Sequence, residues 1–190
     1  MKLLVGLGNP GDAYRETRHN LGFRLAERVA SKARAAGFSR SGKSLVSRGR
    51  LCGQPIIIAK PQTYMNLSGR AVAELIAETG ACDDDLIVAH DDLDIELGSV
   101  RVKQGGGHGG HRGLESILAE APAGAFVRIR LGIKPEASRG DAAEWVLADF
   151  GPEESERVEA MLETAERAVE ALLSVGVSRA MSEFNRRRES

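Results

Sequence analysis

The residues of this chain that could do chemistry collect in a few short polar segments. Asn9, Met65-Asn66 and His90-Asp91-Asp92 each follow the carboxyl end of an apolar, strand-like run, and His19 opens the first helical pattern. In α/β sheets that end of the strands is where ligands bind. A carboxylate that accepts one ring N–H of a histidine fixes its tautomer and leaves the other nitrogen to take a proton from water. His19 with Asp91 suits that pattern. Taken singly, each residue has a plainer reading, with Asn9 a turn residue, Asn66 a helix cap and His19 a surface histidine. No GxSxG elbow occurs, and Ser68 in Asn66-Leu67-Ser68-Gly69 is better placed as a cap than as a nucleophile. A hydrolase built on these residues would use direct attack by water.

Two glycine-rich segments invite other chemistries. Gly6-Leu7-Gly8-Asn9-Pro10-Gly11 has the form GxGxxG after a strand. A dinucleotide site, as in a nicotinamide or flavin oxidoreductase, also needs a helix directly after the glycines and an acidic residue ending the next strand. Residues 12–18 carry no apolar helical stripe, and Glu27 falls inside a helix pattern. Gly105–Gly113 holds six glycines in nine residues, with His108, His111 and Arg112. Such flanks give two histidines no rigid ligand geometry and the HExxH context is absent, so no metal is expected. The glycines suit close backbone approach or a mobile gate. Lys103, Arg128 and Arg130 lie on flanking strands, where they either meet phosphates or form a solvated sheet face.

The elements that must position these residues read as follows. Lys2–Val5 is a buried strand ending on Gly6, and Leu21, Leu25 and Val29 mark an amphipathic helix closed by Gly37. Strands over 44–51 and 55–60 flank a turn at Gly53-Gln54. Asn66 or Ser68 caps a helix through Ile76, with Gly80 at its end. Leu86–Ala89 is a strand before an acidic loop, and Val100–Lys103 and Phe126–Ile133 are further strands around a helix from Leu114 to Ala121. Pro152 opens a long helix with Gly176 past its end, and a short last helix carries Val177, Met181 and Phe184 before Arg186–Arg188. Interleaved strands and helices around a hairpin-like pair predict an α/β sandwich with a twisted mixed β-sheet surrounded by helices. Residues 1–190 are expected to form one domain, helices 152–187 included.

The composition excludes several classes. With 42% hydrophobic and 28% charged residues, the chain is neither disordered, collagenous nor disulfide-rich. Its longest apolar runs are strand-sized, far short of the ~20 residues of a membrane span. Met1–Val5 lacks a signal-peptide core, and Cys52 and Cys82 have no metal-ligand or CxxC spacing, which suits buried thiols in a reducing compartment. A cytoplasmic monomer is expected. Residues 1–135 hold 19 Lys/Arg against 14 Asp/Glu, and 136–190 hold 7 against 13. A front this modestly basic tilts only slightly toward a polyanion partner.

Six segments and Tyr14 together resemble one family. They are Val5–Gly11 with Tyr14, Thr17–Asn20, Pro61-Gln62-Thr63-Tyr64-Met65-Asn66-Leu67-Ser68-Gly69, His90-Asp91-Asp92-Leu93-Asp94, Gly105–His111 and Arg130-Leu131-Gly132-Ile133. In type and order they are similar to bacterial-type peptidyl-tRNA hydrolases over roughly residues 3–150, while the last 40 residues fit the family's helical tail in pattern only. The resemblance implies an esterase that cleaves the bond between a peptide and the terminal ribose of tRNA, recycling peptidyl-tRNA released early in translation, with no metal and no cofactor. It implies His19 as general base and Asp91 as its orienting partner. Asn9 and Asn66 would hold substrate or water, Tyr14 and Met65 would line the crevice, and Lys103 and Arg130 would hold tRNA phosphate. Arg112 stands where the family commonly has Asn. Asn donates and accepts, whereas Arg only donates and carries charge, so Arg112 either binds a substrate carbonyl or phosphate or turns outward. A non-catalytic RNA-binding relative is the alternative, and the presence of His19, Asp91, Asn9 and Asn66 together speaks against it.

Overall fold

The computed structural model describes residues 1–121, 124–135 and 141–186. Strand β1 (Lys2–Gly6) lies at the centre of a seven-stranded sheet, between β4 (Gln54–Pro61) and β5 (Leu86–Glu96), both parallel to it. Beyond β5 come the parallel β7 (Val127–Lys134) and then the antiparallel β6 (Val100–Gln104). On the other side, β3 (Ser44–Leu51) and β2 (Ser39–Ser41) run antiparallel, giving the order β2-β3-β4-β1-β5-β7-β6. Parallel strands are covered on both faces and so read as unbroken apolar runs. Here Leu4, Ile56, Ile58 and Ile87 face one core, and Leu3, Val5, Ile57 and Val88 face the other. The first core is closed by α1 (Leu21–Lys32), α5 (Ser155–Ser174) and α6 (Val177–Phe184), the second by α2 (Ser68–Thr79) and α3 (Arg112–Glu120). The expected α/β sandwich around a mixed sheet is borne out.

Close approach of α1 to β1 depends on paired glycines. A Cβ on Gly6 would collide with the carbonyl of Gly22, and one on Gly22 with the backbone of Leu7. Gly6 and Gly8, the latter against Phe23, thus serve helix–strand packing, and a 3-10 turn at Asp12–Tyr14 follows where a dinucleotide fold would start a helix.

Several expectations need correction. Helix α1 ends at Lys32, not at Gly37, and the residue with positive φ after it is Arg34 (φ 46°). Strand β5 runs seven residues beyond Ala89, so His90–Asp94 are strand residues and not a loop, with His90–Asp92 paired to β7 before the register shifts. Neither Asn66 nor Ser68 caps α2 with its side chain; Met65–Leu67 form a 3-10 turn that leads into the helix, while Gly80 does end it in the left-handed region. Cys52 and Cys82 are exposed, not buried; Cys52 sits with Gly53 at the tip of the β3–β4 hairpin, both at positive φ, as a two-residue turn requires. Strand β2 and a six-residue helix, α4 (Ala142–Leu147), were not anticipated. Asp141 caps α4 by accepting the Ala143 N–H, and Asp141 with Glu144 is a capping-box spacing that signals such a helix.

The outer edge of β6 is closed by a side chain. The Asn185 amide accepts the Val102 N–H (2.9 Å) and donates to the Val102 carbonyl (2.8 Å), the pair of bonds a neighbouring strand would make. Arg101 donates to the Phe184 carbonyl (3.1 Å), tying α6 to the same edge.

Candidate active site

A cleft of about 1000 Å³ opens beyond the carboxyl ends of the parallel strands. Asn9, from the loop after β1, is oriented from three sides. Its N–H donates to Asn20 Oδ1 (2.8 Å), its carbonyl accepts from Asn20 Nδ2 (3.0 Å), and its Oδ1 accepts the Met65 N–H (2.8 Å). That last bond fixes the amide, with Nδ2 as the group left for the cleft. Met65 is buried, while Asn66 and Tyr64 are exposed on the cleft wall.

His19 sits in a 3-10 turn (Arg18–Asn20) just before α1. Its Nδ1 donates to Asp91 Oδ1 (2.8 Å) and lies 2.9 Å from Oδ2. A carboxylate only accepts, so the proton is on Nδ1 and the Nε2 lone pair is free. Asp91, 2% exposed in β5, takes a second donor from His111 Nε2 (3.0 Å). Burial pushes the Asp91 carboxyl up, but His19 and His111 outweigh it and hold the group well below the usual carboxylate range.

His111 is the residue that sequence reasoning missed. Its Nδ1 accepts the N–H groups of Gly113 (3.1 Å) and Leu114 (3.3 Å), capping α3 with a ring nitrogen. A ring whose Nδ1 accepts must carry its proton on Nε2, the atom that meets Asp91. His19, Asp91 and His111 offer ligand atoms within 4.8 Å of one another. Even so, His111 Nε2 has no lone pair for an ion, so this donor set does not fit a metal. His108 is exposed and caps its own loop, accepting from Gly110 N–H (3.2 Å), away from that cluster.

His90 lies behind this group, 1% exposed, donating from Nδ1 to the Asp91 carbonyl (2.7 Å). Burial, reinforced by nearby His111, lowers its pKa from 6.5 to about 3. The unfolded chain then takes up a proton that the folded one refuses. Stability is full above about pH 6.5 and falls toward pH 3 by up to about 1.4 kcal/mol per pH unit. Asp91, shifted downward, loses its contribution only below about pH 4. The difference between wild type and His90→Gln in urea midpoints at pH 7 and pH 5 therefore reads the His90 contribution. The midpoint drops further in the wild type than in His90→Gln; equal drops in both would refute the assignment.

The basic residues divide. Lys103 and Arg112 are exposed on the cleft, Arg112 at the first turn of α3. Arg130 lines it too, with its Nε donating to Asp92 Oδ2 (2.8 Å). Arg128 is neither a phosphate site nor a solvated face. It is buried, and its guanidinium donates to the carbonyls of Gly107 (2.6 Å) and Gly106, clasping the glycine loop. Tyr14, in the earlier 3-10 turn, is half-buried and is not among the described residues that line the cleft.

A mixed α/β sandwich that holds a histidine against a buried carboxylate on an open cleft is an arrangement able to activate water. A family model described as Peptidyl-tRNA hydrolase matches residues 3–190, and the chain belongs to that family. It is 41% identical to the peptidyl-tRNA hydrolase of Syntrophotalea carbinolica over 187 residues (98% of each chain). It is 47% identical to that of Desulforudis audaxviator over 185 residues (97% of this chain, 93% of the relative). The crystal structure of peptidyl-tRNA hydrolase from Acinetobacter baumannii superposes with a TM-score of 0.90 at 34% identity, covering 97% of this chain and 94% of that one.

Proposed function

We propose that this member of the peptidyl-tRNA hydrolase family cleaves the ester between a peptide and the 3′-terminal ribose of tRNA by direct attack of water that His19 activates. The observation that carries the reading is the Nδ1–H bond from His19 to buried Asp91, which leaves Nε2 as a base on the cleft. Water adds to the ester carbonyl as Nε2 takes its proton. Collapse of the tetrahedral species breaks the bond to the ribose oxygen, and the imidazolium returns the proton to that oxygen. Asn9 Nδ2 and the exposed Asn66 amide supply donors for the carbonyl oxygen as it becomes negative. Met65, buried beside Asn9, gives the crevice its apolar floor.

The rest of the reading follows from surface chemistry. Lys103 and Arg130 bind phosphate of the tRNA acceptor arm, and Arg112 supplies a further cation at the cleft rim. Affinity for tRNA falls as salt rises, and Lys103→Ala lowers the log–log salt slope by about one; an unchanged slope would remove Lys103 from the contact. The chain acts as a monomer in the cytoplasm, and two free, exposed thiols suit that reducing compartment. Among the described residues no helix is long and apolar enough to cross a membrane. The described residues form one domain, a reading supported by α5 and α6 sharing a core with β1, β4 and β5, while residues 187–190 of the expected domain lie outside the described residues.

The test compares an N-acetyl-aminoacyl-tRNA with the same aminoacyl-tRNA bearing a free α-amino group, each with and without chelator. Selective cleavage of the acylated ester, indifferent to chelator, is expected. Binding of tRNA without cleavage would instead favour an RNA-binding role.

A further inference from the structure

Arg18, the neighbour of His19, is only 3% exposed, and the hydrogen bonds that its N–H and guanidinium donate lead to one stretch of chain. Its N–H donates to the Ala148 carbonyl (3.1 Å), and Thr17 forms an antiparallel bridge with Asp149. Its Nη1 donates to the carbonyls of Ala148 (3.3 Å) and Asp149. Its Nη2 meets Glu154 Oε2 (2.6 Å), which also accepts the Gly151 N–H (2.7 Å). The guanidinium carbon lies 3.9 Å from the Trp145 ring centroid and 4.7 Å from that of Phe150. Trp145 belongs to α4, whose Ala142, Ala143, Val146 and Leu147 line the cleft, and its Nε1 donates to the Ile133 carbonyl of β7 (2.7 Å). The α4 wall is therefore tied to the sheet through Trp145, and to the residue beside His19 through Trp145 and Ala148.

We propose that Arg18 is a positioning residue that fixes α4 as the apolar wall of the cleft at a set place relative to His19, and so sets affinity for the acyl half of the substrate. This rests on the hydrolase reading above. The two halves of the substrate differ in chemistry, and so do the cleft's borders. Lys103, Arg112 and Arg130 offer cations, which suit phosphates. The α4 side offers Val146, Leu147 and two alanines beside Asp141, a surface that suits an acyl chain and disfavours phosphate. A buried arginine that serves five partners cannot be replaced by lysine, which has the charge but not the planar fork.

The chain has one tryptophan, Trp145, so its fluorescence reports on the wall directly. The variants are Arg18→Gln and Arg18→Lys, compared with the wild type for Trp145 emission and acrylamide quenching, and for kcat and KM on N-acetyl-aminoacyl-tRNA. The expected result is greater quenching together with a KM raised about tenfold and kcat within about threefold, because wall contacts bind ground and transition states alike. Arg18→Lys lies between the wild type and Arg18→Gln in both readouts. If Arg18→Gln does not fold, the lysine variant alone decides. Greater quenching with unchanged KM overturns the proposal, as does a fall in kcat and melting temperature with Trp145 unmoved. Quenching needs no turnover. An inactive wild type would sink the hydrolase reading, and titration of Trp145 with a 3′-amide-linked N-acetyl-aminoacyl adenosine would still test the wall: affinity equal in wild type and Arg18→Gln overturns it.

Discussion

His19→Ala is expected to slow ester cleavage by about 10²–10⁴-fold, the span that a positioned general base supplies. The effect should fall on turnover. The cleft's cations stay in place, so tRNA still binds, and Asp91 keeps the His111 donor at 3.0 Å, so the buried carboxylate is not orphaned. Single-turnover hydrolysis of N-acetyl-aminoacyl-tRNA beside a tRNA binding isotherm separates the two. Full activity in the variant would discard the base.

Asp91→Asn is expected to lower kcat further than so small a change suggests, by about 10³–10⁴-fold with KM little changed, because it reverses a tautomer. Asp91 accepts from two rings, and an amide offers one oxygen and one NH₂. His111 cannot exchange its protons, since its Nδ1 is committed to the Gly113 and Leu114 N–H groups. The amide oxygen therefore turns to His111, its NH₂ faces His19 Nδ1, and the His19 proton moves to Nε2. The base loses its lone pair on the cleft side. Adding His111→Ala releases the amide to turn its oxygen to His19, and part of the rate should return. A double variant slower than Asp91→Asn alone would refute the tautomer argument.

The parts of the fold that local pattern encodes were legible. β1, β4 and the first half of β5 are apolar runs because parallel strands are covered twice, β7 shows its alternation, and the spacing of Leu21, Leu25 and Val29 marks α1. The polar half of β5 was not legible. His90–Asp94 look like a loop in isolation, and His90–Asp92 become strand through pairing with β7, a contact that lies some 40 residues on in the chain. Gly37 is a plausible helix end by type, but α1 stops earlier, at Lys32, with Ala33 and Ala35 bonding back to Val29 and Ala30. The pairing of His19 with Asp91 was foreseen from residue type, whereas the role of His111 was hidden. A histidine that caps a helix with its ring has no propensity signature, and only the assembled turn shows which nitrogen is occupied. Arg128 and Arg18 were obscured likewise. Both are charged residues whose partners are backbone carbonyls, and a carbonyl carries no sequence identity.

The amide that completes β6 arrives late. β6 joins the sheet only through β7, which ends at Lys134, and Asn185 comes 51 residues after that, so at a synthesis rate of about 5–20 residues per second the edge waits roughly 3–10 seconds for its partner. During that interval the nascent sheet carries an open ladder edge while α5 and α6 are still being made, a template for pairing with a neighbouring chain on the same message. Crowded polysomes would feel this most. Slowing elongation between codons 134 and 185 should favour co-aggregation of nascent chains, and speeding it should favour soluble yield, with no change in the finished enzyme.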